Sequence, residues 1–87
     1  MENKVLIKLI VPEIDKSFDI FVPVNEVVWK VKKLLLKAIN DLDNVDFDID
    51  KEYLLMQKDN SHIYKNNDII LDTDIRNASE IILLSKE

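Results

Sequence analysis

Two segments near the N-terminus alternate between apolar and polar positions. In residues 4–11, one side of an extended chain would carry only apolar side chains: Val5, Ile7, Leu9 and Val11. Residues 18–24 alternate in a similar way, and residues 12–17 between them contain a proline and two acids. Because successive side chains of a strand point to opposite sides, the pattern predicts a β-hairpin with one apolar face.

After this hairpin the apolar period changes to about 3.6 residues, which is typical of an α-helix. The helix is predicted over residues 25–42, with Asn25 as its N-cap and Glu26 in its first turn. The expected core stripe consists of Val27, Val28, Val31, Leu34, Leu35, Ala38, Ile39 and Leu42. The opposite side carries Lys30, Lys33 and Lys37.

Three further strands are predicted in the C-terminal half, over residues 53–57, 62–64 and 80–84. An acidic loop over residues 41–50 precedes them, and an irregular segment over residues 69–75 precedes the last strand. This order of elements predicts an α+β fold, in a single domain that spans the whole chain of 87 residues.

Composition excludes several classes of function. The chain contains no cysteine, which excludes disulfides and thiolate metal sites, and no glycine, which excludes Gly-rich phosphate loops. A net charge of -5 without a concentrated basic patch disfavours nucleic-acid binding. The sequence has no apolar run long enough to span a membrane and no signal-peptide pattern, so a cytoplasmic protein is expected. Left-handed turn positions are expected to hold Asn or Asp.

One acidic segment resembles the opening of a calcium-binding loop. Asp46, Asp48 and Asp50 follow one another at every second position. However, Lys51 stands where such a loop requires glycine, and Gln57 stands where it requires a bidentate glutamate. No metal or other cofactor is therefore expected, and the loop is predicted to anchor apolar side chains in the core.

Other polar residues give little sign of catalysis. His62 is the sole histidine and has no nucleophile at a suitable spacing, so it is interpreted as a surface residue. The lysines of the predicted helix are fewer than the usual anionic-lipid cluster, and they are interpreted as a solvated face. No enzymatic activity is expected.

Two segments carry a resemblance to a known fold. Val22-Pro23 followed by Val28, Val31, Lys32 and Leu35 resembles the entry of ubiquitin's second strand into its helix. Residues 71–83 resemble the ubiquitin segment L-x-D-x-x-I-x-x-x-x-x-L-x-L, in which the isoleucine, here Ile75, fills the core. The resemblance implies a ubiquitin-like β-grasp fold: a mixed sheet of four to five strands packed on one helix, with the first and last strands parallel.

Within this superfamily the chain is most similar to the YukD/EsaB type, the ubiquitin-like proteins of Gram-positive type VII (WXG100) secretion. The segment Ile75-Arg76-Asn77-Ala78-Ser79 stands where that family has I-x-N-G-D, with Ala78 and Ser79 as departures. The resemblance implies a non-enzymatic, protein-binding accessory role in secretion. A regulatory subunit or adaptor domain of another bacterial complex or enzyme stays open as the alternative.

Covalent attachment to targets is not expected. Ubiquitin-like proteins that are conjugated, or that carry sulfur, end in Gly-Gly, whereas this sequence ends in Ser85-Lys86-Glu87. The expected partners are therefore proteins that bind without a covalent bond.

Two apolar surfaces are candidate protein-binding sites. In a β-grasp fold the helix covers one side of the sheet, and the uncovered side is expected to present Leu6, Ile82 and Leu84 as neighbours. Tyr53 and Leu55 join them if Leu54 and Met56 face inward; a shift of one residue reverses this. The second candidate is Trp29 with Leu36, on the helix side opposite the core stripe, unless a loop covers them.

Overall fold

A computed structural model describes residues 3–86, and in this range four strands and one α-helix form the framework. The elements are β1 (Lys4–Val11), β2 (Lys16–Pro23), α1 (Val28–Asp43), β3 (Tyr53–Gln57) and β4 (Glu80–Ser85). Short 3₁₀ turns occupy Pro12–Ile14 and Ile70–Asp72. The predicted hairpin, the helix and the strands over residues 53–57 and 80–84 are confirmed, and the ends of these strands lie within two residues of the expected positions.

The four strands form one mixed sheet in the order β2-β1-β4-β3. β1 and β2 pair antiparallel along their whole lengths, whereas β1 and β4 run parallel, with Ile10 opposite Ile82. The strand predicted over residues 62–64 is reduced to a single bridge between Ile63 and Met56, beside the free edge of β3. The sheet is therefore mixed, as expected, and it has four strands where four to five were expected.

The core lies between α1 and one face of the sheet. Its buried members include Ile7, Leu9, Val28, Leu35, Ile39, Leu55, Ile70, Ile81 and Leu83. Ile75 is also buried, as predicted, and is held by the connection that leads into β4. In β1 and β4 the side chains that face the core are thus the ones expected to do so.

The helix begins later than predicted, and Asn25 is not its N-cap. Val27 holds that position in an extended conformation without a side-chain hydrogen bond. The first amides are satisfied from elsewhere: Val28 N–H donates to the Asp68 carbonyl at 2.8 Å, and Trp29 N–H donates to the Asn66 carbonyl at 3.1 Å. Because a distant turn supplies these acceptors, the helix start needs no capping side chain.

The helix is also rotated relative to the predicted stripe. Leu36 is 1% exposed, whereas Leu34 and Leu42, both expected in the core, are 50% and 67% exposed. The loop between α1 and β3 packs on the Leu36 side, where the Asn40 side chain makes two hydrogen bonds to the backbone of Phe47. This tertiary contact decides which flank of the broad apolar stripe is covered.

A lysine is buried on the same side of the helix. Lys32 Nζ donates to the Tyr53 carbonyl and to Asn66 Oδ1, each at 2.7 Å. Burial lowers the pKa of the Lys32 ammonium, and the charge of Glu52 only partly opposes this effect. Lys32 therefore joins α1, β3 and the turn that supplies acceptors to the helix start.

Among residues 3–86, four adopt left-handed backbone conformations. Asp15 and Asn44 fit the expectation for such positions, but Ser61 and Ala78 do not. Ala78 has φ 74°. An alanine there carries the steric cost of its Cβ, of order 1–2 kcal/mol.

Candidate protein-binding surface

The seven predicted binding residues separate into exposed and buried groups. Leu6 and Trp29 are 38% and 42% exposed, and Ile82 and Leu84 are half-buried on the sheet face away from α1. The predictions for the other three are wrong, because Tyr53, Leu55 and Leu36 lie in the core at 5%, 1% and 1% exposure.

The reversal in β3 follows from its pairing with β4. Leu55 lies opposite the core residue Leu83, and Leu54 lies opposite Leu84. Since paired residues of neighbouring strands share a face, Leu54 and Met56 must point outward with Leu84 and Ile82. The orientation of β3 could have been predicted from β4, because Leu55 and Gln57 lie opposite Leu83 and Ile81, which face the core.

The orientation of β3 also explains why its polar last residue is buried. Gln57 is buried, and its side-chain amide donates to the Tyr64 hydroxyl at 3.2 Å. Tyr53 packs edge-to-face on Phe47, with ring centroids 6.0 Å apart. The side-chain amide of Gln57 thus has a hydrogen-bond partner within the fold.

The outward residues form a continuous apolar patch across three strands. Ile10, Ile82 and Met56 lie side by side in one row, and Ile63 extends this row through its bridge to Met56. Leu84 and Leu54 form a second row beside it. The outer-face patch is therefore Ile10, Leu54, Met56, Ile63, Ile82 and Leu84. Sequence reasoning missed four of these residues, namely Ile10, Leu54, Met56 and Ile63.

Leu6 does not belong to this patch. It pairs with Phe21 on the neighbouring strand, and it lies four residues before Ile10 on β1, about 13 Å along the strand. A charged row of Asp19, Lys8 and Glu80 lies between them. The prediction that Leu6 neighbours Ile82 and Leu84 is therefore wrong, although its outward orientation is right.

Charges mark the borders of the patch. Lys58 pairs with Glu80 at 3.2 Å on one side, and both side chains are partly exposed. At the other end the Glu13 carboxylate accepts a hydrogen bond from the Ser85 amide at 3.1 Å, next to Leu84. An apolar centre with a polar rim is the usual anatomy of a protein-binding surface.

The Trp29 surface is smaller. The loop before β3 covers Leu36 but leaves the indole partly exposed, with the Lys30 ammonium 5.6 Å from the ring centroid. Lys33 reaches over the same groove to Asp50 at 3.2 Å. Trp29 therefore stands as a single anchor among charges.

The acidic loop and His62 have structural contacts. Asp48 accepts a hydrogen bond from the Asp50 amide at 2.9 Å, and the His62 ring packs edge-on against Tyr64 at 5.2 Å. Burial raises the pKa of Tyr64, and its hydrogen bond to Asp74 adds to the rise.

Within residues 3–86, no three His, Asp or Glu side chains are grouped so that they could hold a metal ion. In the same range, no helix is long and apolar enough to cross a membrane.

Comparison with known proteins identifies the fold. No protein-family model matches the sequence, and no curated protein matches it. The EccD5 ubiquitin-like domain from Mycobacterium xenopi matches 99% of this chain and 98% of that domain, with a TM-score of 0.77 and 11% identity. The ubiquitin-like domain of the Arabidopsis thaliana protein At2g32350 matches 99% of this chain and 81% of that one, with a TM-score of 0.69 and 21% identity.

A third match lies within a larger protein. A chain of the MycP5-free ESX-5 inner membrane complex matches 99% of this chain with a TM-score of 0.77 and 12% identity. The present chain spans only 22% of that protein's length. Together these likenesses show that the chain has the ubiquitin-like α+β fold, with a four-stranded mixed sheet and one helix.

Proposed function

We propose that this chain is a non-enzymatic protein-binding module that acts in the cytoplasm as a component or regulator of a type VII secretion system. The observation that carries the binding role is the outer-face patch, an unbroken apolar surface across three strands of a sheet face that α1 does not cover. Five of its residues are partly exposed and Ile63 is exposed, and contiguous apolar surface that stays accessible to solvent usually marks an interaction site.

Two observations support the secretion context. Residues 75–79 resemble the corresponding YukD/EsaB segment, and the fold matches the EccD5 domain and a chain of the ESX-5 inner membrane complex. At these identities the likeness concerns the fold, so the secretion role itself is our inference.

The size of the patch suits a complex of weak to moderate affinity. Fully burying an exposed Leu or Ile side chain contributes roughly 1.5–3 kcal/mol, and each partly buried side chain of the patch contributes the share of this that is still exposed, before the costs of association are subtracted. Several such side chains in two adjacent rows suffice to anchor a partner, and the rim charges would orient it.

An adaptor or regulatory role in another bacterial complex or enzyme is the second candidate. It is supported by the range of matching folds, since the ubiquitin-like domain of the Arabidopsis thaliana protein matches in addition to the EccD5 domain and the chain of the ESX-5 complex. The fold alone therefore does not select one machine.

A matched set of variants tests the binding surface. Tagged Leu84→Asp should remain folded yet lose the partner captured by the wild type from the native cell, with affinity reduced roughly tenfold to a hundredfold. Phe21→Asp is the control, because Phe21 is exposed on the same face beyond the charged row. Leu83→Asp should unfold the domain, because it buries an unpaired charge.

The outcomes separate the alternatives. Equal capture by the wild type and folded Leu84→Asp would move the binding site away from the patch. Deletion of the gene should reduce export of small helical-hairpin substrates, and Leu84→Asp should fail to restore it. Normal export in the deletion strain would exclude the secretion role and leave the adaptor role.

A further inference from the structure

A small cavity lies between the first half of α1, the loop before β3 and the turn over residues 65–68. Its volume is about 160 Å³, and its wall includes Trp29, Lys32, Tyr53 and Asn66. Sites for cofactors and drug-sized ligands usually measure roughly 300–1,000 Å³. This space, called here the Lys32 cavity, is therefore too small for a nucleotide or a cofactor, and its size suits a single side chain.

The ammonium group of Lys32 lies at the wall of the Lys32 cavity. It donates to the Tyr53 carbonyl and to Asn66 Oδ1, each at 2.7 Å, and both acceptors belong to residues that line the same space. The lysine is only 9% exposed. An ammonium has three N–H donors, and among residues 3–86 these two acceptors are its only hydrogen-bond partners. One donor thus remains for a ligand.

The charge of this ammonium has no direct counter-ion in the fold. Both acceptors are neutral, and in the part of the chain that the structure describes Lys32 forms no ion pair with a carboxylate. Glu52 attracts the ammonium without pairing with it. A buried charge is unfavourable unless an opposite charge with good hydrogen-bond geometry accompanies it. The cavity therefore favours an anionic group that accepts hydrogen bonds, such as a carboxylate.

The surroundings of the cavity add positive charge. Its wall carries three lysines, Lys32, Lys33 and Lys51, and two acids, Asp50 and Glu52, although the whole chain has a net charge of -5. Lys33 pairs with Asp50 at 3.2 Å, whereas Lys51 forms no ion pair with any residue in the range 3–86. The local charge thus attracts an acidic ligand and repels a basic one.

Trp29 provides an apolar surface beside the cavity. It stands one helical turn before Lys32, so the two side chains are neighbours on α1. Trp29 is 42% exposed, and part of its indole is therefore free to contact another molecule. Tryptophan is enriched among the residues that contribute most to protein binding. An apolar side chain on the indole and a carboxylate in the cavity would reinforce each other.

We propose that the Lys32 cavity binds the carboxylate of a glutamate side chain from a partner protein, while an adjacent apolar residue of that partner packs on Trp29. The two methylene groups of glutamate allow its carboxylate to enter the cavity while the partner's backbone stays outside. A free acid would lack the contact with the indole, which is why a protein segment is the better occupant. The site lies on the helix side of the molecule, away from the outer-face patch, and it does not depend on the proposed secretion role.

Two synthetic peptides test the site. Both have the sequence acetyl-Ser-Leu-Xaa-Leu-Ser-amide, with glutamate as the central residue in one and glutamine in the other. The full chain, labelled with nitrogen-15, is titrated with each peptide and followed by NMR. The glutamate peptide should shift the signals of the Trp29 indole N–H and the Asn66 side-chain amide. The glutamine peptide should bind roughly tenfold more weakly or worse, because charge-assisted hydrogen bonds are about twice as strong as neutral ones.

Variants assign this preference to one group. Lys32→Met keeps a stem of similar length without the ammonium, so it should bind both peptides equally. Trp29→Ala should weaken both peptides and keep the preference for glutamate. Lys37→Met removes an exposed lysine outside the cavity wall and should behave as the wild type does.

A measurement on the wild type covers the case in which Lys32→Met does not fold. The ammonium protons of Lys32 are observed directly by NMR. The glutamate peptide should slow their exchange with water, whereas the glutamine peptide should not.

Several results would overturn the proposal. These are equal binding of the two peptides by the wild type, a preference for glutamate that persists in folded Lys32→Met, unchanged exchange of the Lys32 ammonium protons, or shifts centred on Met56 and Ile82. Glutarate is the free-acid probe. If it bound as tightly as the glutamate peptide, the occupant would be a small organic acid, and the assignment to a partner protein would be wrong.

Discussion

The two faces of the sheet contain similar side chains but differ in how far these side chains are buried. The inner face carries Leu55 and Leu83, which are buried under α1, and the outer face carries Leu54 and Leu84, which stay half-exposed. Leu54 is adjacent to Leu55 in β3, and Leu83 is adjacent to Leu84 in β4. What separates them is the helix, which covers one face only.

This difference shows that burial here is decided by the covering element and not by hydrophobicity. A two-sided apolar strand folds with either face inward unless a neighbouring strand fixes its phase. β4 fixes that phase for β3, and the residues left outside become available for partners. The remaining predictions test how strictly the two faces are separated.

The largest effect is expected from truncating matched leucines on the two faces of β3. Leu55→Ala should reduce the free energy of unfolding by about 2–5 kcal/mol, because it leaves a cavity in the core. Leu54→Ala should cost less than about 1 kcal/mol. Urea denaturation of both variants measures the difference. Similar losses would mean that the outer face is covered in solution.

An intermediate effect is expected from a polar contact that closes the inner side of the sheet. The Tyr64 hydroxyl donates to Asp74 at 2.5 Å and accepts from buried Gln57. Tyr64→Phe should cost about 1–3 kcal/mol at neutral pH, since it leaves the Gln57 amide without this acceptor.

The same variant should change the pH dependence. The folded-state pKa of Tyr64 is raised above its ordinary value of 10.0, first by burial and then by Asp74. Its contribution to stability is therefore complete below pH 10.0 and lost as pH rises further. Unfolding free energies measured across this range should fall more steeply for the wild type than for Tyr64→Phe. Parallel curves would contradict the raised pKa.

The smallest effect is expected at the turn that leads into β4. Ala78 N–H donates to the Leu6 carbonyl at 2.8 Å from a left-handed conformation. Ala78→Gly should raise stability by about 0.5–1 kcal/mol, because relief of the Cβ clash exceeds the added entropy of the unfolded chain.

A control for this substitution lies in α1. Ala38→Gly should lower stability by about 1 kcal/mol, because glycine is unfavourable within a helix. Thermal melting of both variants gives the comparison. A loss of stability in Ala78→Gly would show that the left-handed turn is not strained.

Elements and strand faces with a clear local period could be predicted from the residues alone. The outward orientation of Ile82 and Leu84, in a strand whose residues 81–84 are all apolar, was predicted correctly through the resemblance to ubiquitin. The alternation in residues 4–11 and the outward orientation of Leu6 were predicted correctly from the local period. Such patterns depend on neighbours one or two positions away, which the sequence contains directly. Partner binding by Leu6, Ile82, Leu84 and Trp29 stays a prediction.

Tertiary structure alone decided the features that depend on distant segments. In β3 nearly every residue is apolar, so only pairing with β4 could place Tyr53 and Leu55 inside. In α1 the apolar stripe is wider than the core, and the loop before β3 buried Leu36 while Leu34 stayed exposed. The register of the parallel pair β1–β4 placed Leu6 a charged row away from Ile82. In each case the local pattern allows more than one arrangement, and the long-range contacts select one because only that one covers the core.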